Sequence, residues 1–487
     1  MDWKPDVLPG FEQLTLELTP DDEGPVVATL VRRAAPSSGL FVAPEFDPDS
    51  PEAEFNQIGA VLPNPGSSHG AAGSAFGLAA APPDNGVDVL YVHGWVDYFY
   101  QTHLAAFFES QGYRFYALDL RKYGRSLRDW QTPGYVDSLS TYDEDINAAL
   151  TAMGHGVVAA PDVEGDLWAG SAAKAGTTRA GMVARMPDDE NDETGTPKLS
   201  ELLRNLIESA RSGYADAAGV ELDPVAPSGS VALSGIGTTS GMGTPSGSGG
   251  KIGMGTKIST APTDDDAPKD YENPPPHTEF KRIPGTGRWL LLMGHSTGGL
   301  IAALWAAYNP GRADALVLNS PWLEFQTGNL GRRALEGPIK AQARIAPMSH
   351  LVNPDPGYYV KSISNQFDGE WDINLDWKPV VMWAPTAAWM AAIFRAQDRV
   401  ALGLDLDIPV LVLLSAKSTW PVRWSPELLE TDQVITVDDV AARAPSLGHI
   451  VTTVRFPGAL HDVTLSTPEV RANVWAELSR WLSAYIQ

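Results

Sequence analysis

Apolar runs of five to seven residues recur along the chain. They read Val87–Val92 (VDVLYV), Arg114–Leu120 (RFYALDL), Trp289–Met293 (WLLLM), Ala315–Asn319 (ALVLN), Pro409–Leu414 (PVLVLL) and Val451–Phe456 (VTTVRF). Runs this short and this rich in apolar residues, unbroken at Trp289–Met293, predict strands, several of them buried on both faces. Before them, Phe11–Leu18 alternates apolar and polar, and Pro25–Arg33 does so more loosely. The intervening TPDDEG break predicts a hairpin. Helical spacing appears between the strands. In Tyr98–Gln111, Leu104, Phe107 and Phe108 share an inner face and Gly112 supplies the stop. Ser140–Met153 begins with Ser140 or Thr141 as cap and acids in its first turn. Leu300, Ile301, Leu304 and Trp305 recur at helical spacing until Asn309–Pro310, and Pro468–Ile486 closes the chain as an amphipathic helix. Alternating strands and helices after a hairpin predict an α/β architecture: a mostly parallel eight-stranded sheet with helices on both faces.

Three stretches break the alternation. Residues 34–86 carry repeated Pro, Gly and Ala with little periodicity and read as a poorly ordered surface insertion. Residues 151–287 include a Gly/Ser-dominated run at 226–257 and an Asp/Pro-rich run at 263–276, both low in complexity. Within that insertion, Lys198–Ala217 has helical spacing at Leu202, Leu203, Leu206 and Ile207, which predicts a lone amphipathic helix docked lightly on the surface. Taking out both insertions leaves about 300 residues, an ordinary size for one α/β domain with a cap. The core pieces are then residues 1–33, 87–150, 288–321 and 408–487. The third stretch, 322–407, is the cap. It holds Trp371, Trp377, Trp383 and Trp389 with Phe325, Met348, Tyr358, Tyr359 and Met390. The longer insertion joins a helix end to a strand start. In a parallel sheet such joints lie opposite the strand C-termini where ligands bind, which places that insertion away from the active site.

Composition narrows the classes. A net charge of −25 argues against nucleic acid and anionic membrane surfaces as partners. The absence of cysteine removes disulfides, thiolate catalysis and cysteine-ligated zinc. No run of about 18 apolar residues is present, so no membrane span is expected. MDWKPDVLPGFEQ lacks the basic and apolar regions of a signal peptide, and the expectation is a soluble, cytoplasmic protein.

Candidate chemistry centres on Gly294-His295-Ser296-Thr297-Gly298, between the WLLLM strand and the helix that follows. Strand, G-x-S-x-G and helix together describe a nucleophile elbow, with Ser296 as nucleophile. A serine hydroxyl is a weak nucleophile. It must stand exposed beside a base and next to amides that hold an oxyanion, which a tight strand-to-helix turn provides. A second match, Gly66-Ser67-Ser68-His69-Gly70, has neither strand before it nor helix after it and is coincidental. The base must come late in the chain. His449 precedes the final strand and falls at the wrong edge of the sheet, whereas His461 follows that strand. His295 neighbours the nucleophile on a turn and is expected to point elsewhere. The acid belongs between Leu414 and His461. Glu427, Glu430, Asp432, Asp438 and Asp439 qualify by position, and Asp432 is preferred over Asp438 and Glu430 because Asp438 and Asp439 open a helix and are explained by capping. The backbone amides of Thr297 and Trp95 are the expected oxyanion donors.

Tyr91-Val92-His93-Gly94-Trp95, Leu118-Asp119-Leu120-Arg121 with Gly124-Arg125-Ser126, Gly294 to Gly299, and Gly458-Ala459-Leu460-His461-Asp462 together resemble the α/β-hydrolase superfamily, and within it the monoacylglycerol lipase / lysophospholipase-like (serine aminopeptidase-type) group. The resemblance covers the core and neither insertion. It implies the α/β-hydrolase fold with a helical cap, Ser296 as nucleophile, His461 as base, and Trp95 and Thr297 as oxyanion donors, with no metal and no cofactor. One departure stands out. The family has a short Gly/Ser-x-x-Asp turn after the seventh strand, and here Ser415-Ala416-Lys417-Ser418-Thr419-Trp420 carries no acid. Asp432-Gln433-Val434 matches the family's Asp-x-Val before a helix instead.

The expected activity is hydrolysis of small-molecule carboxylic esters with an apolar acyl chain through a Ser296–His461–Asp432 triad. An aminopeptidase, thioesterase or acyltransferase on the same fold is the alternative. Glu324, Asp368, Glu370, Asp372 and Asp376 keep an acidic amine pocket open. A non-catalytic hydrolase-like binding protein is the alternative of another class.

Overall fold

A computed structural model of the chain describes residues 1–34, 82–156, 287–325, 328–353, 355–420 and 423–486. Most of both low-complexity insertions, and the helix expected at 198–217, lie outside the described residues. Nine strands form one sheet: β1 (Lys4–Pro5), β2 (Phe11–Asp21), β3 (Gly24–Arg33), β4 (Val87–Val92), β5 (Arg114–Asp119), β6 (Trp289–His295), β7 (Ala315–Asn319), β8 (Val410–Ser415) and β9 (Val451–Phe456). Eight are those the apolar runs predict, and the ninth is the two-residue edge strand β1. Their order across the sheet is β1-β2-β3-β5-β4-β6-β7-β8-β9. The first three pair antiparallel, β3 joins β5 antiparallel, and β5 through β9 run parallel.

The continuously apolar strands are explained by two cores, one on each face. Leu90 and Val92 of β4 point into one, while Val89 and Tyr91 point into the other. The first core receives α2 (Tyr142–Met153), α3 (Thr297–Tyr308) and α6 (Ala387–Ala401); the second receives α1 (Thr102–Glu109) and α8 (Pro468–Tyr485). Helix α3 is buried along nearly its whole length, with Leu300, Leu304 and Trp305 fully enclosed. Each such side chain contributes about 1.5–3 kcal/mol through burial.

One expected helix starts late. Tyr98–Gln101 is not helical; there Phe99 N donates to Asp119 Oδ1 at 2.8 Å and Tyr100 N to Gln101 Oε1 at 3.0 Å. The segment before α2 also departs slightly, winding as a 3-10 turn at Leu139–Thr141 capped by Ser138.

The cap region contributes α4 (Gly328–Ile345), α5 (Tyr358–Ile363) and α6, between β7 and β8. α7 (Val437–Arg443) follows β8. The flanks of the longer insertion meet at one carboxylate: Asp88 accepts from His155 Nε2 at 2.9 Å and from Arg288 Nε at 2.6 Å. Asp88 sits at the N-terminal end of β4, where the parallel strands begin. Among the described residues no helix is long and apolar enough to cross a membrane.

Candidate active site

Ser296 stands between β6 and α3 with φ 54° and ψ −119°, a conformation that side-chain-bearing residues seldom adopt. Strain of this kind is on the order of 1–3 kcal/mol and persists only where the surroundings hold it. Here they do. The Ser296 carbonyl accepts from Trp322 N at 3.0 Å, and Ser296 N donates to Asn319 O at 3.0 Å. The glycines of the elbow are required by close approach. A Cβ on Gly298 would fall 2.2 Å from the His93 carbonyl oxygen, and one on Gly94 would fall 2.9 Å from the Ser296 Cβ. β4 and its loop therefore press directly on the Ser296 turn.

His461 follows β9 through a turn at Gly458 and is 2 % exposed. Its Nδ1 lies 2.8 Å from Asp432 Oδ2. An ionised carboxylate only accepts, so Nδ1 carries the proton and Nε2 is left as acceptor. Nε2 is buried and has no hydrogen-bond partner among the described residues. Asp432 is fully buried. Its other oxygen accepts from Val434 N at 2.7 Å and Ile435 N at 2.9 Å, which fixes the carboxylate plane.

Ser415–Trp420, the stretch that leaves β8, carries no acid of its own. Ser418 and Asp432 form a parallel bridge, with Asp432 N donating to Lys417 O at 2.9 Å and Thr419 N to Asp432 O at 2.8 Å. The Asp432 segment is thereby laid beside the stretch that leaves β8. The other acids lie elsewhere. Asp438 is 79 % exposed and paired with Arg455 at 2.6 Å, Glu427 pairs with Lys417, and Glu430 is exposed. His449 is exposed and faces Asp405 at 2.9 Å.

His295 does not turn away from the site. Its ring packs against that of His461 with centroids 4.9 Å apart, and Nδ1 lies 3.1 Å from Asn319 O. Burial lowers its pKa to about 4, against the opposing pull of nearby Asp462, so it stays neutral.

Thr297 is the first residue of α3, and its amide is one of the N–H groups a helix cannot satisfy internally. The Trp95 loop is held by His93. The imidazole Nε2 accepts from Leu120 N at 3.0 Å, which leaves Nδ1 to donate to Gly94 O at 2.8 Å. Burial lowers the His93 pKa and keeps the ring neutral for both bonds.

Several supporting residues were not legible as such. Asp462 accepts from Asn319 Nδ2 at 2.6 Å, from Thr464 N at 2.9 Å and from Gln101 Nε2 at 3.2 Å, which anchors the residue next to His461 to β7 and to the start of α1. The one available signal was an acid directly beside the histidine. The Arg121–Ser126 stretch is structural. Arg121 pairs with Asp145 at 2.6 Å, and Arg125 with Asp6 at 2.6 Å and Asp119 at 2.8 Å.

An aromatic wall flanks the site. Trp95 and Trp389 approach with ring centroids 3.9 Å apart, and Trp322 lies 6.2 Å from Trp389 and 6.0 Å from Phe325. On the other side, Tyr359 meets His461 edge-on at 5.5 Å. Trp371 instead stacks on His103 at 4.1 Å and donates to Leu465 O at 2.8 Å, which is packing. A surface groove of about 550 Å³ lined by Met1, Leu14, Leu16 and Ala152 is separate, and none of the residues above lines it. Among the described residues no cluster of three His, Asp or Glu is arranged to hold a metal ion.

Residues 277–464 match the family described as serine aminopeptidase, S33. Among solved structures, the chain is similar to a monoacylglycerol lipase from Paleococcus ferrophilus at 13 % identity, over 83 % of this chain and 97 % of that one, with a TM-score of 0.42. It is similar to a soluble variant of monoglyceride lipase from Saccharomyces cerevisiae, bound to a substrate analogue, at 12 % identity over 84 % and 91 %, with a TM-score of 0.39. A thermophilic esterase from Thermogutta terrifontis matches at 13 % identity over 83 % and 92 %, with a TM-score of 0.37. No curated protein sequence matches the chain.

Proposed function

We propose, for a chain that belongs to the α/β-hydrolase superfamily, that it is a serine esterase acting on carboxylic esters with an apolar acyl chain. The observation that carries this reading is the His461–Asp432 hydrogen bond at 2.8 Å together with a buried, unpartnered His461 Nε2. An imidazole with its proton fixed on one nitrogen and its other nitrogen open is arranged to accept a proton.

The mechanism follows from those roles. Ser296 Oγ attacks the acyl carbonyl, and His461 Nε2 takes its proton. Asp432 holds the ring in that tautomer and stabilises the imidazolium that forms. The Trp95 and Thr297 amides donate to the tetrahedral oxyanion. His461 returns the proton to the leaving alkoxide, and the acyl group stays on Ser296. Water then attacks the acyl-enzyme, with His461 again as base, and releases the acid. No step calls for a metal or a cofactor.

Trp95 and Trp322, backed by the buried Phe325 and Trp389, offer an apolar surface suited to an acyl chain. A substrate amine would need a carboxylate free to receive it, which the cap acids do not favour. Glu324 pairs with Arg332 and Arg443, Glu370 with Arg471 at 3.1 Å, and Asp368 with Lys361 at 3.6 Å, while Asp372 and Asp376 are exposed.

Purified protein should hydrolyse p-nitrophenyl butyrate and be labelled at Ser296 by a fluorophosphonate. Ser296→Ala should lose both. Full activity in Ser296→Ala would refute the site. Turnover confined to aminoacyl p-nitroanilides or acyl thioesters would replace the ester reading with one of its neighbours.

A further inference from the structure

Lys378 belongs to the cap, yet its side chain is 2 % exposed. Lysines are almost never buried without a partner. The partner is Asp97, also 2 % exposed, with Lys378 Nζ 2.9 Å from Asp97 Oδ1. The contact is chiefly one of charge, since Asp97 Oδ1 receives no well-aligned hydrogen bond among the described residues. No step of the esterase mechanism uses either residue.

Their position suggests a role. Asp97 lies two residues beyond Trp95, whose amide is the proposed oxyanion donor. Between them, Val96 is fully buried at φ 46°, in the left-handed region that β-branched residues avoid. Such a conformation persists only when its surroundings over-determine it. The cap segment Asn374–Lys378 grips the loop just past Val96 at two successive residues. Lys378 takes Asp97, and Asn374 N donates to the Tyr98 hydroxyl at 2.7 Å. The segment is itself closed by Lys378 N donating to Asn374 O at 2.9 Å, and the Trp377 ring meets that of Tyr98 edge-on at 5.1 Å. Lys378 Nζ also lies 5.5 Å from the ring of Tyr359, which contacts His461. A buried ion pair adds little net stability, because desolvation offsets the attraction, and an apolar pair would fill the space as well. What the charges add is a demand for one relative placement.

We propose that Asp97–Lys378 is a positioning pair: it seats the cap on the oxyanion loop and fixes the Trp95 amide where the tetrahedral oxyanion forms. Hydrolysis thereby depends on a charge contact between cap and core. This inference rests on the esterase reading of Ser296.

The test uses the full chain and three variants, Lys378→Met, Asp97→Asn and the double. Each single variant should lower kcat on p-nitrophenyl butyrate by about 10–100-fold, with KM changed less than about threefold. Each should weaken inhibition by butylboronic acid, whose tetrahedral adduct occupies the oxyanion site, by a similar factor. The double variant should be no worse than the worse single, because the two residues act as a unit. Wild-type kcat in a folded single variant, a loss confined to KM, or losses that multiply in the double would each overturn the pair. If Lys378→Met fails to fold, the nearly isosteric Asp97→Asn and the double, which leaves no lone buried charge, carry the test. Ser296→Ala separates the two levels. If it stays active, the esterase site falls and the pair with it. If it is inactive while Lys378→Met turns over normally, only the pair falls.

Discussion

The Asp432 carboxylate meets the His461 imidazole at 2.8 Å, although neither residue lies in a regular strand or helix. Two loops at the C-terminal ends of β8 and β9 supply them. The carboxylate's other oxygen is pinned by the Val434 and Ile435 amides. Asp432→Asn keeps the shape and allows the amide to donate to Nδ1, which favours the wrong tautomer. Turnover should fall by about 10³–10⁴-fold with little change in thermal midpoint. Asp438→Asn should leave the rate within about twofold, since that carboxylate is exposed and bound to Arg455. An unchanged rate in Asp432→Asn, measured by steady-state esterase assay, would reassign the acid.

Gly298→Ala adds one methyl, but that methyl would sit 2.2 Å from the His93 oxygen and 2.4 Å from the Val92 oxygen, both backbone. A flexible side chain would yield; the β4 backbone does not. Stability should drop by about 3 kcal/mol in urea denaturation, and the folded fraction should lose most of its turnover of p-nitrophenyl butyrate because α3 is pushed off the loop that carries Trp95. Wild-type stability would mean that the elbow packs more loosely than these distances indicate.

Asp88 carries a pH signature. Burial raises its pKa, but hydrogen bonds from His155, Arg114 and Arg288 outweigh that and bring it down to about 2 from 3.8. A carboxyl depressed in the folded state stabilises the fold above its unfolded pKa and loses that contribution as pH falls through its folded pKa. Asp88→Asn should therefore be less stable than wild type by up to about 2 kcal/mol at pH 7. The gap should persist down to about pH 4 and close as the pH falls toward 2. Urea midpoints at pH 7, 4 and 3 read this directly, and a gap independent of pH would show that charge is not the cause.

The flanks of the longer insertion, His155 and Arg288, share Asp88 as partner. Replacing residues 157–286 with about ten Gly/Ser residues, which reach up to ~33 Å, should close the loop without strain. The trimmed protein should keep kcat/KM within about threefold of the full chain. Loss of folding or of activity would show that the insertion is not dispensable.

Much of this could be read along the chain, because the deciding forces there are local. A strand buried on both faces is apolar at nearly every position, so VDVLYV and ALVLN, each with a single polar residue at or near one end, marked β4 and β7 to the residue. The tight Ser296 turn needs glycine wherever another backbone comes close, and G-x-S-x-G displayed that need. Short-range signals did less well at Tyr98–Gln101, where the helix begins only at Thr102 and the Phe99 amide is bound by Asp119, twenty residues away. Which of several chemically equal carboxylates lies against His461 shows only in the folded chain. Asp432 differs from Asp438 through a bridge to Ser418, and a backbone pairing across a loop leaves no trace in composition or periodicity. The burial of Lys378 against Asp97 is of the same kind. Sequence fixes which residues carry charge, but the loss of water that makes a charge pair directional arises only when cap and core close over it.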